Sequence, residues 1–111
     1  MRAWLASLVI GAALASCTST SDTQLVAVKS ARTVLAEWAL AEEQGAHHRV
    51  TLTYLESIRQ QARDELKSAQ AQLPRPAAAL VAQVMEGQPS SGMLHQAEVA
   101  LAPVETQLES A

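Results

Sequence analysis

The chain has 111 residues and a formal net charge of −3, so it has room for one domain, and it has no Lys/Arg run for a nucleic-acid partner. Of its residues, 49% are apolar, chiefly Ala, Leu and Val, but only 3% are aromatic, which predicts a thin core. Its single cysteine, Cys17, excludes both an internal disulfide and a cysteine zinc site.

The first 16 residues have the pattern of a secretory signal peptide. Arg2 supplies a short positive end, an apolar stretch covers residues 4–14, and Ala15 and Ser16 supply small side chains. The apolar stretch is shorter than the roughly 20 residues that span a bilayer. We therefore expect this segment to be cleaved rather than retained as a membrane helix.

The motif Leu14-Ala15-Ser16-Cys17 resembles the lipobox of bacterial lipoproteins, and the resemblance covers residues 1–17 only. It implies a diacylglyceryl group on the Cys17 thiol, cleavage between Ser16 and Cys17, and a palmitate-type anchor on the new terminus. In Gram-negative lipoproteins, Asp after the cysteine favours retention at the inner membrane. Thr18 stands there in this chain, which implies the outer membrane, facing the periplasm. The mature chain has seven Lys/Arg against eleven Asp/Glu, a net charge of −4.

A second interpretation of the same segment is ordinary secretion. Ala13-Leu14-Ala15 also fits the A-x-A cleavage pattern, which would release a soluble helical protein cut after Ala15. Such a protein would carry an unpaired thiol into an oxidising compartment. The lipobox explains the cysteine better, and lipidation is our prediction.

The first predicted helix follows a polar tether at residues 17–22. Ser21 and Gln24 form an S-x-x-Q capping box, and apolar residues then recur every three or four positions. This stripe is Leu25, Val28, Ala31, Leu35 and Trp38. We expect the helix to end at Gly45 in a left-handed cap. Trp38 is expected to be the largest core residue, with an interface anchor as its functional alternative.

The second predicted helix has two candidate starts, at Thr51 and at Thr53, where Glu56 would complete a capping box. Its buried stripe is Leu55, Ile58, Ala62, Leu66, Ala69 and Leu73, and Pro74 ends it. The spacing of Asp64 with Lys67 and of Glu56 with Arg59 predicts ion pairs along its surface. An alternative stays open in which the first and second predicted helices form one long helix through Gly45, because an interior Gly costs only about 1 kcal/mol relative to Ala.

Two further helices are predicted after Pro74. Pro76 suits the first turn of the third, Gly87 closes it, and a loop at residues 87–92 leads to the fourth. The fourth repeats apolar residues at 3-4-3-4 spacing, the pattern of a helix packed along another helix: Leu94, Ala97, Leu101, Val104 and Leu108. Pro103 is expected to kink or break it near Leu101.

These elements predict an all-α fold, a small antiparallel bundle of three or four helices over residues 23–111. The 3-4-3-4 seam of the last segment is interpreted as an exposed surface for a partner helix or for a second copy of the chain. No strand pattern competes with this interpretation.

The sequence contains no recognisable catalytic constellation. His47 and His48 lie beside acidic residues, but adjacent helical residues point about 100° apart, whereas helical metal ligands sit at i and i+4. We interpret this segment as a hydrated turn, with a small metal-binding protein as the alternative. His95 stands alone and is expected at the surface or the edge of the core. With no G-x-S-x-G motif and no phosphate loop, we expect no enzyme, no cofactor, no metal and no small-molecule substrate.

The function predicted from the sequence is a lipid-anchored, periplasm-facing module of the cell envelope that acts as a structural element or adaptor. Its anchor is Cys17, and its body binds a protein partner.

Overall fold

The computed structural model describes the backbone of residues 2–110 and the side chains of residues 21–110. This part of the chain forms four helices and no strand: α1 (Arg2–Ala46), α2 (Leu52–Gln70), α3 (Arg75–Met85) and α4 (Ser91–Ser110). Each helix packs against the next one along the chain, and α1 also packs against α4. The predicted all-α bundle is confirmed. None of these helices, within the described residues, has the length and apolar character needed to cross a bilayer.

Helix α1 does not begin at Ser21, so the predicted capping box is not a helix start and the predicted tether falls inside the helix. A capping box acts only where the preceding backbone leaves the helical conformation. Between Gly11 and Gly45 the chain has no Gly or Pro, and Ser and Thr disfavour a helix by only about 0.5 kcal/mol each. Nothing in the sequence therefore forces a break before Ser21.

A short turn separates α1 from α2, so residues 23–73 are two helices and not one rod. His48 adopts a left-handed conformation with φ of 57°, which reverses the chain. The Thr51 hydroxyl then accepts a hydrogen bond of 3.1 Å from the Tyr54 amide. Thr51 is therefore the N-cap of α2, and the alternative start at Thr53 is wrong.

Gly45 lies within α1, and the prediction that it forms a left-handed cap is wrong. Its role is to permit close packing of the two helices. A Cβ atom at this position would lie 2.7 Å from Cδ2 of Leu55, which is itself buried on α2. The glycine therefore reflects the approach of α2, a tertiary contact that the local sequence does not reveal.

The core lies between the four helices and confirms most of the predicted stripes. Trp38 is its largest fully buried side chain, as expected. Leu25, Ile58 and Ala69 are only half-buried, because they lie at the edges of their stripes. The other fully buried side chains are Leu35, Leu66, Leu94, Leu101, Val28 and Val81.

The seam of α4 is occupied within the chain, so its interpretation as an exposed partner surface is wrong. Leu94, Ala97 and Leu101 are buried, and Val104 and Leu108 pack at the edge of the same core. The partner helix that the 3-4-3-4 spacing predicts is α1, which forms its most extensive contact with α4. A surface already covered by the chain itself is not available to a second copy.

Pro103 lies inside α4 without ending it, contrary to expectation. A proline removes the hydrogen bond to the carbonyl four residues earlier, here that of Val99. Val99 is exposed, while Leu101 is completely buried against the core. Packing of the apolar face therefore holds α4 together across the missing bond.

Replacing Pro103 by Ala should raise the free energy of unfolding by about 1–2 kcal/mol, because the N–H is restored and Ala is the best helix former. Residue 103 is exposed, so the change removes no core contact. Urea unfolding followed by circular dichroism measures the gain. Ala100→Ser, at another exposed position of α4, is the matched control and should change stability by less than about 0.7 kcal/mol. A loss of stability in Pro103→Ala would contradict the prediction.

Helices α3 and α4 begin close to where the sequence predicts. Pro76 lies in the first turn of α3, which ends at Met85, just before Gly87. The Ser90 hydroxyl accepts a hydrogen bond of 3.2 Å from the Met93 amide and caps α4. Helix α2 ends at Gln70, before Pro74, and the intervening turn inserts Leu73 into the core.

Candidate functional site

The residues predicted to carry function lie in three separate places. Cys17 is outside the residues whose side chains the structure describes. His47 and His48 are exposed in the turn between α1 and α2, as a hydrated turn requires, and His95 is exposed on α4. Within the described residues, no three or more His, Cys, Asp and Glu side chains are grouped as a metal site would need.

A polar cluster at the α1–α2 interface surrounds Trp38. The indole Nε1 of Trp38 donates a 2.9 Å hydrogen bond to Glu42, one turn along α1. Arg59 of α2 donates to the same carboxylate through two nitrogens, at 2.7 and 2.9 Å. The Arg63 guanidinium lies 5.0 Å from the centroid of the indole ring, in cation–π distance. The largest core side chain is thus contacted by Glu42 and Arg63, and Arg59 holds Glu42 in place.

Charge is stabilised on both partners of the Glu42–Arg59 pair. The hydrogen bond from Arg59 lowers the pKa of Glu42, and the bond from Trp38 acts in the same direction against the opposing effect of burial. The same hydrogen bond raises the pKa of Arg59. A carboxylate held ionised in this way is a poor general acid at neutral pH. The cluster is suited to fixing the α1–α2 hairpin, and Glu42, not the predicted Glu56, is the partner to which Arg59 donates.

A second polar network joins α1 to α4. Arg32 contacts Glu98 at 2.8 Å and Glu105 at 3.3 Å. The hydrogen bond that Arg32 donates to Glu98 raises the pKa of Arg32. The Arg32 Nε is buried and has no hydrogen-bond partner within the described residues. Lys29 and Glu109, 3.9 Å apart and half-exposed, add little to stability.

The solvent-facing side of the α1–α2 hairpin carries a groove of about 250 Å³. Its base consists of buried apolar side chains: Val34, Trp38, Ala41 and Ala62. Leu40 of α1 and Tyr54 of α2 form its edges and are 55% and 51% exposed. Its polar lining residues are Glu37, Gln44, Gln61 and Glu65. We call this feature the hairpin groove.

A second, shallower depression lies along the same two helices, and the name hairpin groove covers both parts. Val26, Ala27 and Ser30 line the depression from α1, and Asp64, Glu65, Ser68, Ala69 and Gln72 line it from α2. Glu65 belongs to both parts. From residue 26 to residue 44, at 1.5 Å per residue, the lining of α1 extends over about 27 Å.

The apolar stripes of the sequence do not predict the hairpin groove. Its signal was present, because Val26 and Leu40 are large apolar residues that fall outside the predicted stripe of α1. Which face of α1 they share with residues of α2 depends on the packing of the hairpin. The groove presents apolar side chains and carboxylates, which are suited to binding another molecule.

No protein-family model, curated protein or solved structure matches this chain.

Proposed function

We propose that this protein is a lipoprotein of the bacterial cell envelope whose helical bundle acts as a structural or adaptor module by binding a protein partner. The single observation that carries the proposal is the order of the first residues. Arg2, an apolar stretch and Leu14-Ala15-Ser16-Cys17 follow one another at the spacing of a lipoprotein signal. The only cysteine of the chain stands at the position that this signal modifies.

The proposed modification supplies a strong anchor. Each buried methylene contributes about 0.8 kcal/mol, one acyl chain binds reversibly, and two or more bind stably. Cleavage before Cys17 leaves three residues between the lipidated cysteine and Ser21, where the described side chains begin. The bundle would therefore be held close to the bilayer, at the outer membrane if the host is Gram-negative, because Thr18 and not Asp follows the cysteine.

A binding role agrees with how the described polar residues are used. Glu42 and Arg59 hold α1 to α2, and Arg32 holds α1 to α4, so these charged groups are engaged in joining helices. The hairpin groove, in contrast, presents apolar side chains to solvent. Exposed apolar surface on a small protein is typical of an interaction site.

Replacing Cys17 by Ser should abolish lipid attachment, because only the thiol forms the thioether. Cells that process lipoproteins are grown with an alkyne-labelled palmitate analogue, and the purified chain is examined by labelling and by intact mass. The wild-type chain should carry the label and begin at Cys17 with a diacylglyceryl group, whereas Cys17→Ser should carry no label.

Ser19→Ala keeps the lipobox and is the matched control, with labelling equal to that of the wild-type chain. An inhibitor of lipoprotein signal peptidase should leave the wild-type chain labelled and uncleaved. An unlabelled wild-type chain beginning at Ser16 with a free thiol would contradict the proposal and favour the secreted alternative.

A further inference from the structure

We propose that the hairpin groove is the docking site for a basic amphipathic helix of a partner protein. The inference rests on the proposed binding function and names its surface and the chemistry of its partner. The groove lies between two antiparallel helices, where a third helix packs naturally, and grooves of this kind take amphipathic helices in other proteins.

The apolar lining favours an apolar face on the partner. Leu40 and Tyr54 are more than half exposed at the two edges, and Val26, at the far end, is 67% exposed. Large exposed apolar side chains along one pair of helices are stabilised when a partner covers them. Trp38 and Val34 at the base are already buried, so the groove has a rigid floor.

The charges of the groove favour a basic partner. Glu37, Asp64 and Glu65 line it, and within the described residues no Lys or Arg does. Arg59 and Arg63, the arginines of α2, are engaged with Glu42, the Trp38 ring and the Gly87 carbonyl, and neither lines the groove. The charged side chains that line the groove are therefore all acidic.

The same charges disfavour two other occupants. A second copy of the chain docked through this groove about a two-fold axis would bring the carboxylates of both copies, Glu37 and Glu65 among them, into one interface. An anionic lipid surface would meet three carboxylates. A helix with Lys or Arg on both sides of an apolar stripe meets Glu37 on one edge and Glu65 on the other.

The length of the groove specifies the probe. A lining of about 27 Å matches a helix of about 18 residues at 1.5 Å per residue. The probe is a fluorescent peptide of this length with Leu at 3-4-3-4 spacing and Lys on both sides of the stripe. Two matched peptides replace every Lys by Glu, or keep the composition and scramble the order.

Binding is measured by fluorescence anisotropy with the full chain in a mild non-ionic detergent, at low and at moderate salt. The Lys peptide should bind with a Kd at least about tenfold lower than either matched peptide, and the Kd should rise with salt as exposed charges are screened. Equal binding of the Lys and the scrambled peptides would overturn the inference, as would no binding at all.

Substitutions in the groove test whether the peptide binds there. The Glu37→Lys/Glu65→Lys chain and the Leu40→Gln chain should each raise the Kd about fivefold or more, since the first removes carboxylates that face the basic side chains and the second removes an apolar contact at the edge of the groove. All three residues are exposed, so the fold should be retained, which circular dichroism checks.

The matched control is Glu43→Lys/Glu86→Lys, which changes the net charge equally at exposed positions outside the groove. It should change the Kd less than about twofold, because isolated exposed charges contribute little. An equal effect of both charge reversals would show a non-specific attraction and overturn the inference. If a chain that carries no lipid still binds the peptide, the groove is supported as the docking site, and only the proposed lipid anchor is contradicted.

Discussion

Trp38→Ala is expected to lower the free energy of unfolding by about 3–5 kcal/mol, the range for deleting a buried aromatic side chain. Trp38 is completely buried, and the core holds no other aromatic residue. The other side chains of the core cluster are Ala, Val and Leu, which cannot expand to fill the cavity. Because small domains have little stability to lose, much of the population should unfold at room temperature.

Two further variants separate the contributions of Trp38. Trp38→Phe retains an aromatic ring but removes Nε1–H and with it the hydrogen bond to Glu42, so it should be markedly less destabilised than Trp38→Ala. Tyr54→Ala removes an exposed ring and should cost less than about 1 kcal/mol. Chemical unfolding monitored by circular dichroism compares the three variants with the wild-type chain. A loss below about 1 kcal/mol in Trp38→Ala would contradict the described core.

Glu42→Gln is expected to lower the free energy of unfolding by about 1–3 kcal/mol at neutral pH, since it leaves the Arg59 guanidinium without its anion. The side chains of Glu42 and Arg59 are only 11% and 21% exposed, so water replaces the lost partner poorly. The amide has nearly the shape of the carboxylate, which limits the change to charge and hydrogen bonding.

The same variant should change the dependence of stability on pH. The pKa of Glu42 is lowered in the folded chain from its ordinary value of 4.5. A carboxyl group with a lowered folded pKa contributes stability above its unfolded pKa, and loses it as the pH falls through the folded value. The wild-type chain should therefore lose its advantage over Glu42→Gln as the pH falls below 4.5.

Urea unfolding at neutral pH and at a series of values below 4.5 measures this difference. Glu43→Gln, at the exposed neighbouring position, is the matched control and should remain within about 0.5 kcal/mol of the wild-type chain throughout. A constant difference between Glu42→Gln and the wild-type chain across the whole pH range would contradict a stabilising role of the ionised carboxylate.

The three- to four-residue spacing of apolar side chains predicted the helical segments well, because it is a property of neighbouring residues. The stripes around Leu35 and Leu66 are buried as expected, Thr51 caps α2, and Pro76 lies in the first turn of α3. The capping box at Ser21 does not start a helix, because α1 already continues through this position and no Gly or Pro interrupts it there. Local signals therefore predicted which segments are helical, and were less successful with helix ends.

The polar contacts were harder to predict, because they join helices that are distant in the sequence. Arg59 was expected to pair with Glu56 three residues away, yet it donates to Glu42 on α1. Spacing along one helix indicates which side chains are neighbours on its surface, but a partner from another helix competes for them. Arg32 contacts α4 for the same reason.

The order of the residues is enough to predict that the described chain is helical and where its main apolar stripes lie. It also places Cys17 in a lipobox-like motif. These features rest on hydrogen-bonding preference, side-chain period and motif spacing, which are properties of neighbouring residues. Only the tertiary structure decided that α1 covers the seam of α4, that Gly45 admits Leu55, and that α4 continues through Pro103. The hairpin groove belongs to this second class. Its edges come from two helices, so it forms only when α1 and α2 pack with particular faces in contact.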